Sequence, residues 1–267
     1  MAKTIFIAAH PRSGSTYFCR LLGDVLGTQV YLEIFHQQHS VIVQHLRGRY
    51  PAIAEKLQLP SDEVQARHQL IRRNSEYLTA LQQFNPNNVL AFKVFPGHLG
   101  PQLLEQVLDQ SQQIVVLRRN LLHSYISDVI AGHLQKWANT DTTAEKVEFS
   151  SPGFLAHVQR TNRYYEDVIA FAKGNSISLK TMNYEEIIAA ENPADFLART
   201  LDLPVPVNSK KQPDTRQDKR SIASDKVTNA TEMLNFLECQ GLALLNDSGR
   251  NCDDLSYKNL RNRFKLG

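Results

Sequence analysis

Four short apolar runs, at residues 4–9, 89–94, 113–117 and 176–181, are separated by longer stretches in which apolar residues recur at helical spacing. A short apolar run is what a strand shows when both of its faces are covered, and strands that alternate with helices build parallel sheets. The pattern predicts an α/β fold in three layers, with a central parallel sheet of four or five strands between two layers of helices. Helices are expected from Thr16 onward, then at about residues 41–49, 51–57, 62–83 with Ser61 as the cap, 101–108, 121–134, 153–172, 184–189, 194–201 and 225–237. With 267 residues and no linker or repeat, a single domain over residues 1–267 is expected.

Composition narrows the functional classes. Hydrophobic residues at 42% and charged residues at 21% suit an ordinary globular chain and argue against disorder or a fibrous repeat. A net charge of +3 is too weak for wholesale binding of nucleic acid or a membrane surface, and fits a small anionic ligand better. Cys19, Cys239 and Cys252 are widely spaced without a CxxC pair, which points away from a zinc site or disulfide framework and toward a reducing compartment. The first apolar run is too short for a signal-peptide core, and none reaches the ~20 residues of a membrane span. A cytoplasmic protein without a membrane span is the expectation.

The sequence His10-Pro11-Arg12-Ser13-Gly14-Ser15-Thr16 lies between the first strand and its helix, at the carboxyl end of a strand, where open α/β sheets bind ligands. Gly14 lets the backbone approach closely, the first helix amides face the loop, Ser13, Ser15 and Thr16 add hydroxyls, and Arg12 adds a charged fork. On these residues alone, either an anion site or a Ser/Thr-rich helix cap would serve. An NTPase loop would carry Lys directly after the last glycine; here Ser15 follows Gly14, and no apolar strand ends in an Asp that would hold Mg²⁺. A second strand end runs into a helix at Arg118-Arg119-Asn120-Leu121, with Ser127 eight residues after Arg119 and so on the same helix face. Arg118 reads as a surface residue.

Residues 11–16 resemble the 5'-phosphosulfate loop of the sulfotransferases that use 3'-phosphoadenosine 5'-phosphosulfate (PAPS), in the Arg-containing form of bacterial carbohydrate enzymes of the trehalose and nodulation-factor type. Arg119 and Ser127 resemble the same family's 3'-phosphate motif. Weaker similarity continues through Tyr184-Glu185-Glu186-Ile187 and a segment at residues 224–229 that in bacterial members closes over the nucleotide. The resemblance implies a P-loop-like α/β/α fold and a metal-independent transfer of a sulfuryl group from PAPS to a hydroxyl, with Arg12, Ser13, Gly14, Ser15, Thr16, Arg119 and Ser127 binding the nucleotide.

In-line transfer needs a base for the acceptor hydroxyl and stabilisation of the departing phosphate oxygen. Arg12 is the candidate for the second task. Glu33, flanked by Leu32, Ile34 and Phe35, matches the acidic base position of the bacterial enzymes, and His98 is the rival, because aryl and steroid enzymes use a histidine near the end of the corresponding strand. Lys93 interrupts an apolar strand, as a snorkelling side chain or as a group facing the sulfuryl. Trp137 suits either packing or stacking against a sugar ring. Residues 203–224 read as a loop over the nucleotide site and 138–151 as a candidate lid. The expected acceptor is a carbohydrate or other glycan hydroxyl; a lipid, peptide or small-molecule acceptor, a Mg²⁺-dependent nucleotide kinase and a non-catalytic PAPS-binding module are the alternatives, and a homodimer stays open.

Overall fold

The computed structural model describes residues 3–27, 30–31, 33–36, 47–48, 51–83, 89–137, 141–204 and 220–247. Among them the elements run β1 (Lys3–Ala8), α1 (Ser15–Leu26), α2 (Pro51–Lys56), α3 (Glu63–Arg72), α4 (Asn74–Gln83), β2 (Val89–Val94), α5 (Pro101–Asp109), β3 (Gln113–Arg118), α6 (Leu121–Leu134), α7 (Ser151–Gly174), β4 (Ser178–Asn183), α8 (Tyr184–Ala189), α9 (Pro193–Thr200) and α10 (Ala230–Cys239). Short 3₁₀ turns fall at Ala223–Lys226 and Ala243–Asn246. The expected helix at 41–49 lies outside the described residues, apart from 47 and 48.

The sheet has four strands in the order β2-β1-β3-β4, all parallel. Alternate residues of one strand feed two cores. Phe6 and Ala8 pack with Phe92, Ile114, Val168 and the α4 and α5 side chains, while Ile5 and Ile7 pack with Phe18, Leu22, Val115, Ile187 and Leu197. Helices α1, α8 and α9 therefore cover one face, and α4, α5 and α7 cover the other, giving the three layers that the strand–helix alternation predicts. The chain leaves β1 toward β2 on one side and leaves β3 toward β4 on the other. The gap between the carboxyl ends of β1 and β3 is thus the switch point where an open sheet makes its crevice.

Helix α7 fixes those carboxyl ends. Tyr164 donates to Val94 O at the end of β2 (2.9 Å), and Tyr165 donates to Leu117 O in β3 (2.6 Å) while accepting from His10 Nδ1 just beyond β1 (2.7 Å). Two adjacent tyrosines on one helix thus join three strand ends.

Several local expectations are corrected. The single helix at 62–83 is two, because the Asn74 amide donates to Ile71 O (3.1 Å) and competes with the helix ladder at Arg73. Asp62, not Ser61, caps α3 by accepting from Gln65 N (2.7 Å). Strand β4 starts at Ser178, since Ser176 takes a positive φ of 55° and Ile177 N closes α7 on Ala172 O. The helix expected at 225–237 begins only at Ala230: Val227 is buried and pairs with Val147, which holds the chain extended there.

The lid reading of 138–151 also changes for its described part, residues 141–150. Val147 N bonds Lys226 O, Thr228 N bonds Val147 O, and Asn229 clasps Phe149 at both its N–H (2.8 Å) and its C=O (3.0 Å). Arg220 donates to Thr142 O and Glu145 O, and Val147 and Phe149 enter a third core with α6, α7 and α10. The segment is a structural strap. Of the loop expected at 203–224, residues 205–219 lie outside the described ones. No helix among the described residues is long and apolar enough to cross a membrane.

Replacing Asn229 with Ala strips Phe149 of two partly buried hydrogen bonds and should cost about 1–3 kcal/mol. In urea unfolding the midpoint should fall with the slope unchanged; an unaltered midpoint would show that the two Asn229 bonds do not stabilise the strap.

Candidate active site

The loop after β1 has two residues in the left-handed region, Arg12 at φ 62° and Gly14 at φ 79°, on either side of Ser13. A non-glycine residue held there is a strained conformation that persists only where the surroundings enforce it. At Gly14 a side chain is excluded twice over: by that φ, and because a Cβ would stand 2.3 Å from the Tyr184 ring. Helix α1 starts directly afterward with no side-chain cap and no acid in its first turn, so its positive end is turned to the crevice.

Ser15 Oγ and Thr16 Oγ1 lie 3.4 and 3.3 Å from Lys93 Nζ. Ser13 is fully buried, its N–H bonds His10 O (3.2 Å), and its Oγ is closed off from solvent without a hydrogen-bond partner.

The second predicted motif meets the loop. Arg12 Nε donates to Ser127 Oγ (3.0 Å) and Arg12 Nη1 to Trp137 O (2.7 Å), while Arg119 Nη1 donates to Arg12 O (2.5 Å) and its guanidinium lies 4.9 Å from the centre of the Tyr184 ring. Arg12, Arg119 and Ser127 are thereby gathered at the β1/β3 switch point. Within the gathered group, Ser127 is the partner of Arg12. Burial and the neighbouring Arg119 charge both disfavour the cation on Arg12, against a weaker opposing pull from Asp128. Two guanidinium groups in this relation form a socket that an anion would stabilise.

The third group sits at the end of β2. Lys93 is only 2% exposed. Its ammonium is 3.1 Å from Glu33 Oε1 and 4.8 Å from the centre of the Phe95 ring, in addition to the two hydroxyls. Lys93 therefore does not snorkel; it faces the loop. Glu33 reaches it because Tyr31 pairs with the edge of β2, with Tyr31 N on Ala91 O (2.8 Å) and Lys93 N on Tyr31 O (3.3 Å). The other carboxylate oxygen of Glu33 faces His36 Nε2 at 3.6 Å.

His98 completes the cluster. Its Nδ1 accepts from Phe95 N (3.3 Å), so in the neutral ring the proton is on Nε2 and the free nitrogen is a donor. Burial, and then the charges of His36, Lys93 and Arg67, push its pKa down to about 4 against the pull of Glu33. Of the two rivals, Glu33 brings a carboxylate to the cluster and His98 is set up to give a hydrogen bond. Donor atoms of Glu33, His36 and His98 lie within 4.8 Å of one another, a spacing at which a transition metal could be held. The donor set fits a metal poorly, because Lys93 already neutralises the carboxylate and the free His98 nitrogen carries a proton.

Four contributors were not singled out by sequence reading. Tyr184 lies against both Gly14 and Arg119, and Glu185 Oε1 accepts from Asn120 N (3.0 Å) in the turn that carries Arg119. Asn120 caps α6 at Leu122 N and His123 N and donates to Leu245 O and Asp247 O. His36 adds the second imidazole. The Tyr184-Glu185 pair directly after a strand, noted above only as weaker similarity, was the available signal. Trp137 is 55% exposed, so packing is not its role.

Behind the loop, His10 and His157 face each other with ring centres 5.6 Å apart. Burial first, then neighbouring positive charge, moves His157 down to about 4 and His10 well below its ordinary value. Between pH 6.5 and 4 the unfolded chain binds protons that the folded chain refuses. Stability should thus be complete above about 6.5 and fall as the pH drops, by about 1.4 kcal/mol per unit for each histidine. Urea unfolding from about pH 7.5 to 5 should show this slope, reduced by one proton in His157→Gln; a flat profile would contradict the buried neutral pair.

The Lys93–Glu33 pair should be lopsided. Glu33→Gln leaves a buried ammonium uncompensated and should cost about 3 kcal/mol or more, whereas Lys93→Met leaves a carboxylate that water can reach and should cost less. Thermal unfolding of both variants checks the order. Comparison with models of known protein families and with curated proteins finds no match to this chain, so the residue roles above rest on geometry and chemistry.

Proposed function

We propose that the chain is a sulfotransferase that takes PAPS and transfers its sulfuryl group to a carbohydrate hydroxyl. The observation that carries the reading is the pairing of two distinct anion-binding surfaces across one switch point: the Gly14 loop with Ser15, Thr16 and Lys93, and the Arg12–Ser127 contact beside Arg119. A nucleotide phosphorylated at both its 3' and 5' positions needs two such surfaces, and the motif resemblance at residues 11–16 and 119–127 names the same nucleotide.

In this scheme Glu33 removes the proton of the acceptor hydroxyl as its oxygen attacks sulfur. The bond from sulfur to the phosphate oxygen breaks, and 3'-phosphoadenosine 5'-phosphate leaves with the negative charge. Lys93, with Ser15 and Thr16, meets that charge, a task that geometry transfers from Arg12, whose guanidinium is turned to Ser127 and suits the 3'-phosphate. His98 Nε2 donates to the acceptor or sulfuryl oxygen. The scheme calls for no metal. The exposed Trp137 ring, tethered through its carbonyl to Arg12, offers the apolar face of a sugar a platform at the crevice rim.

Calorimetry of 3'-phosphoadenosine 5'-phosphate with a chelator present tests the reading. Wild type should bind without metal, and Arg119→Ala should weaken binding by at least about tenfold through the loss of charge-assisted hydrogen bonds. Absence of binding to wild type, with ATP binding that requires Mg²⁺, would replace this reading with a nucleotide kinase.

A further inference from the structure

Arg67 is a cation near this cluster to which no role has been given above. It stands on α3 between the buried Ala66 and Leu70, at the edge of the face that α3 buries, and Leu70 packs into the core that also holds Phe35, two residues beyond Glu33. Residues three apart share a helix face, so Arg67 is carried on the same side as Leu70. Its Nε is closed off from solvent and has no hydrogen-bond partner. Its charge reaches the cluster, where it opposes protonation of His98.

An enclosed guanidinium donor without an acceptor is costly, and an anion repays that cost best through a bidentate contact. Glu33, the nearby acid of the cluster, is engaged elsewhere, with Oε1 on Lys93 and Oε2 facing His36. We propose that Arg67 binds an anionic group carried by the acceptor, so that the enzyme sulfates a hydroxyl of an acidic sugar and discriminates against neutral ones. The inference rests on the sulfotransferase reading for the reaction, though the anion contact itself does not.

The shared chemistry is a carboxylate or phosphate on a sugar ring. The test is saturation-transfer NMR of glucuronic acid, glucose 6-phosphate and glucose against wild type and Arg67→Gln, each with 3'-phosphoadenosine 5'-phosphate added. At least one acidic sugar should bind about 10- to 100-fold more tightly than glucose to wild type, and Arg67→Gln should abolish that preference. Whichever acidic sugar binds better identifies the anion. Nucleotide affinity should be the same in both proteins, which also shows that the variant is folded; Arg67→Lys, keeping charge without the fork, should fall between them. Equal binding of acidic and neutral sugars, no sugar binding, or a preference that survives Arg67→Gln overturns the inference. Failure of wild type to bind the nucleotide sinks the sulfotransferase reading and leaves the sugar comparison to judge Arg67 by itself.

Discussion

An ammonium group buried in the sheet is the constraint around which the crevice is arranged. Taking a lysine charge out of water costs several kcal/mol even after relaxation, so Lys93 needs compensation from every direction it faces. Glu33 supplies the opposite charge, Ser15 and Thr16 supply oxygens, and Phe95 supplies an aromatic face. These partners come from three parts of the chain: the segment after α1, the start of α1, and the end of β2. The demand of one charge therefore fixes the carboxylate and the Gly14 loop relative to each other. Tyr31 makes the arrangement possible by pairing with β2, an edge strand in the order β2-β1-β3-β4, and so also covers part of an edge that would otherwise expose its hydrogen-bonding groups.

The opposite side of the crevice is organised by repulsion. Arg12 and Arg119 lie close enough to disfavour each other, yet each is held by fixed oxygens: Arg12 by Ser127 and the Trp137 carbonyl, Arg119 by the Arg12 carbonyl, with the Tyr184 ring beneath. Tyr184 and Glu185 join the two strand turns, since one occupies the space beside Gly14 and the other accepts from Asn120. From behind, Tyr164 and Tyr165 tie the ends of β1, β2 and β3 to a single helix. Support on both sides holds the two guanidinium groups in their unfavourable proximity.

The layers, the parallel sheet and the two turns that meet at the β1/β3 switch point were legible from sequence because each is a local pattern: an apolar run, a glycine-containing turn, an arginine at a strand end. What was not legible depends on contacts between distant elements. The direction of Lys93 could not be read from strand alternation, because both faces of a parallel strand are buried and neither is marked as the solvent side. Ser13 and Ser15 are indistinguishable as residue types, yet one is closed off from solvent without a partner and the other faces Lys93. The contacts of Tyr184 and Glu185 were not legible because they consist in reaching β1 and β3 from the end of β4. At the carboxyl end, residues 225–229 carry a helical apolar spacing, but pairing of Val227 with Val147 outweighs that local preference and delays the helix to Ala230. Helical spacing also ran through Arg73, where the Asn74 side chain competes for backbone oxygen and divides the helix.

Under the sulfotransferase reading, the same ammonium has two successive tasks. Before the nucleotide arrives it is shared by Glu33 and the loop hydroxyls. A phosphosulfate seated on the Gly14 loop would compete for Lys93 at Ser15 and Thr16. The more of the ammonium's interaction the donor claims, the less remains for Glu33. Coupling the Lys93–Glu33 contact to the presence of the donor would need no moving lid, which agrees with the strap at residues 141–150 being tied by hydrogen bonds instead of left to open and close.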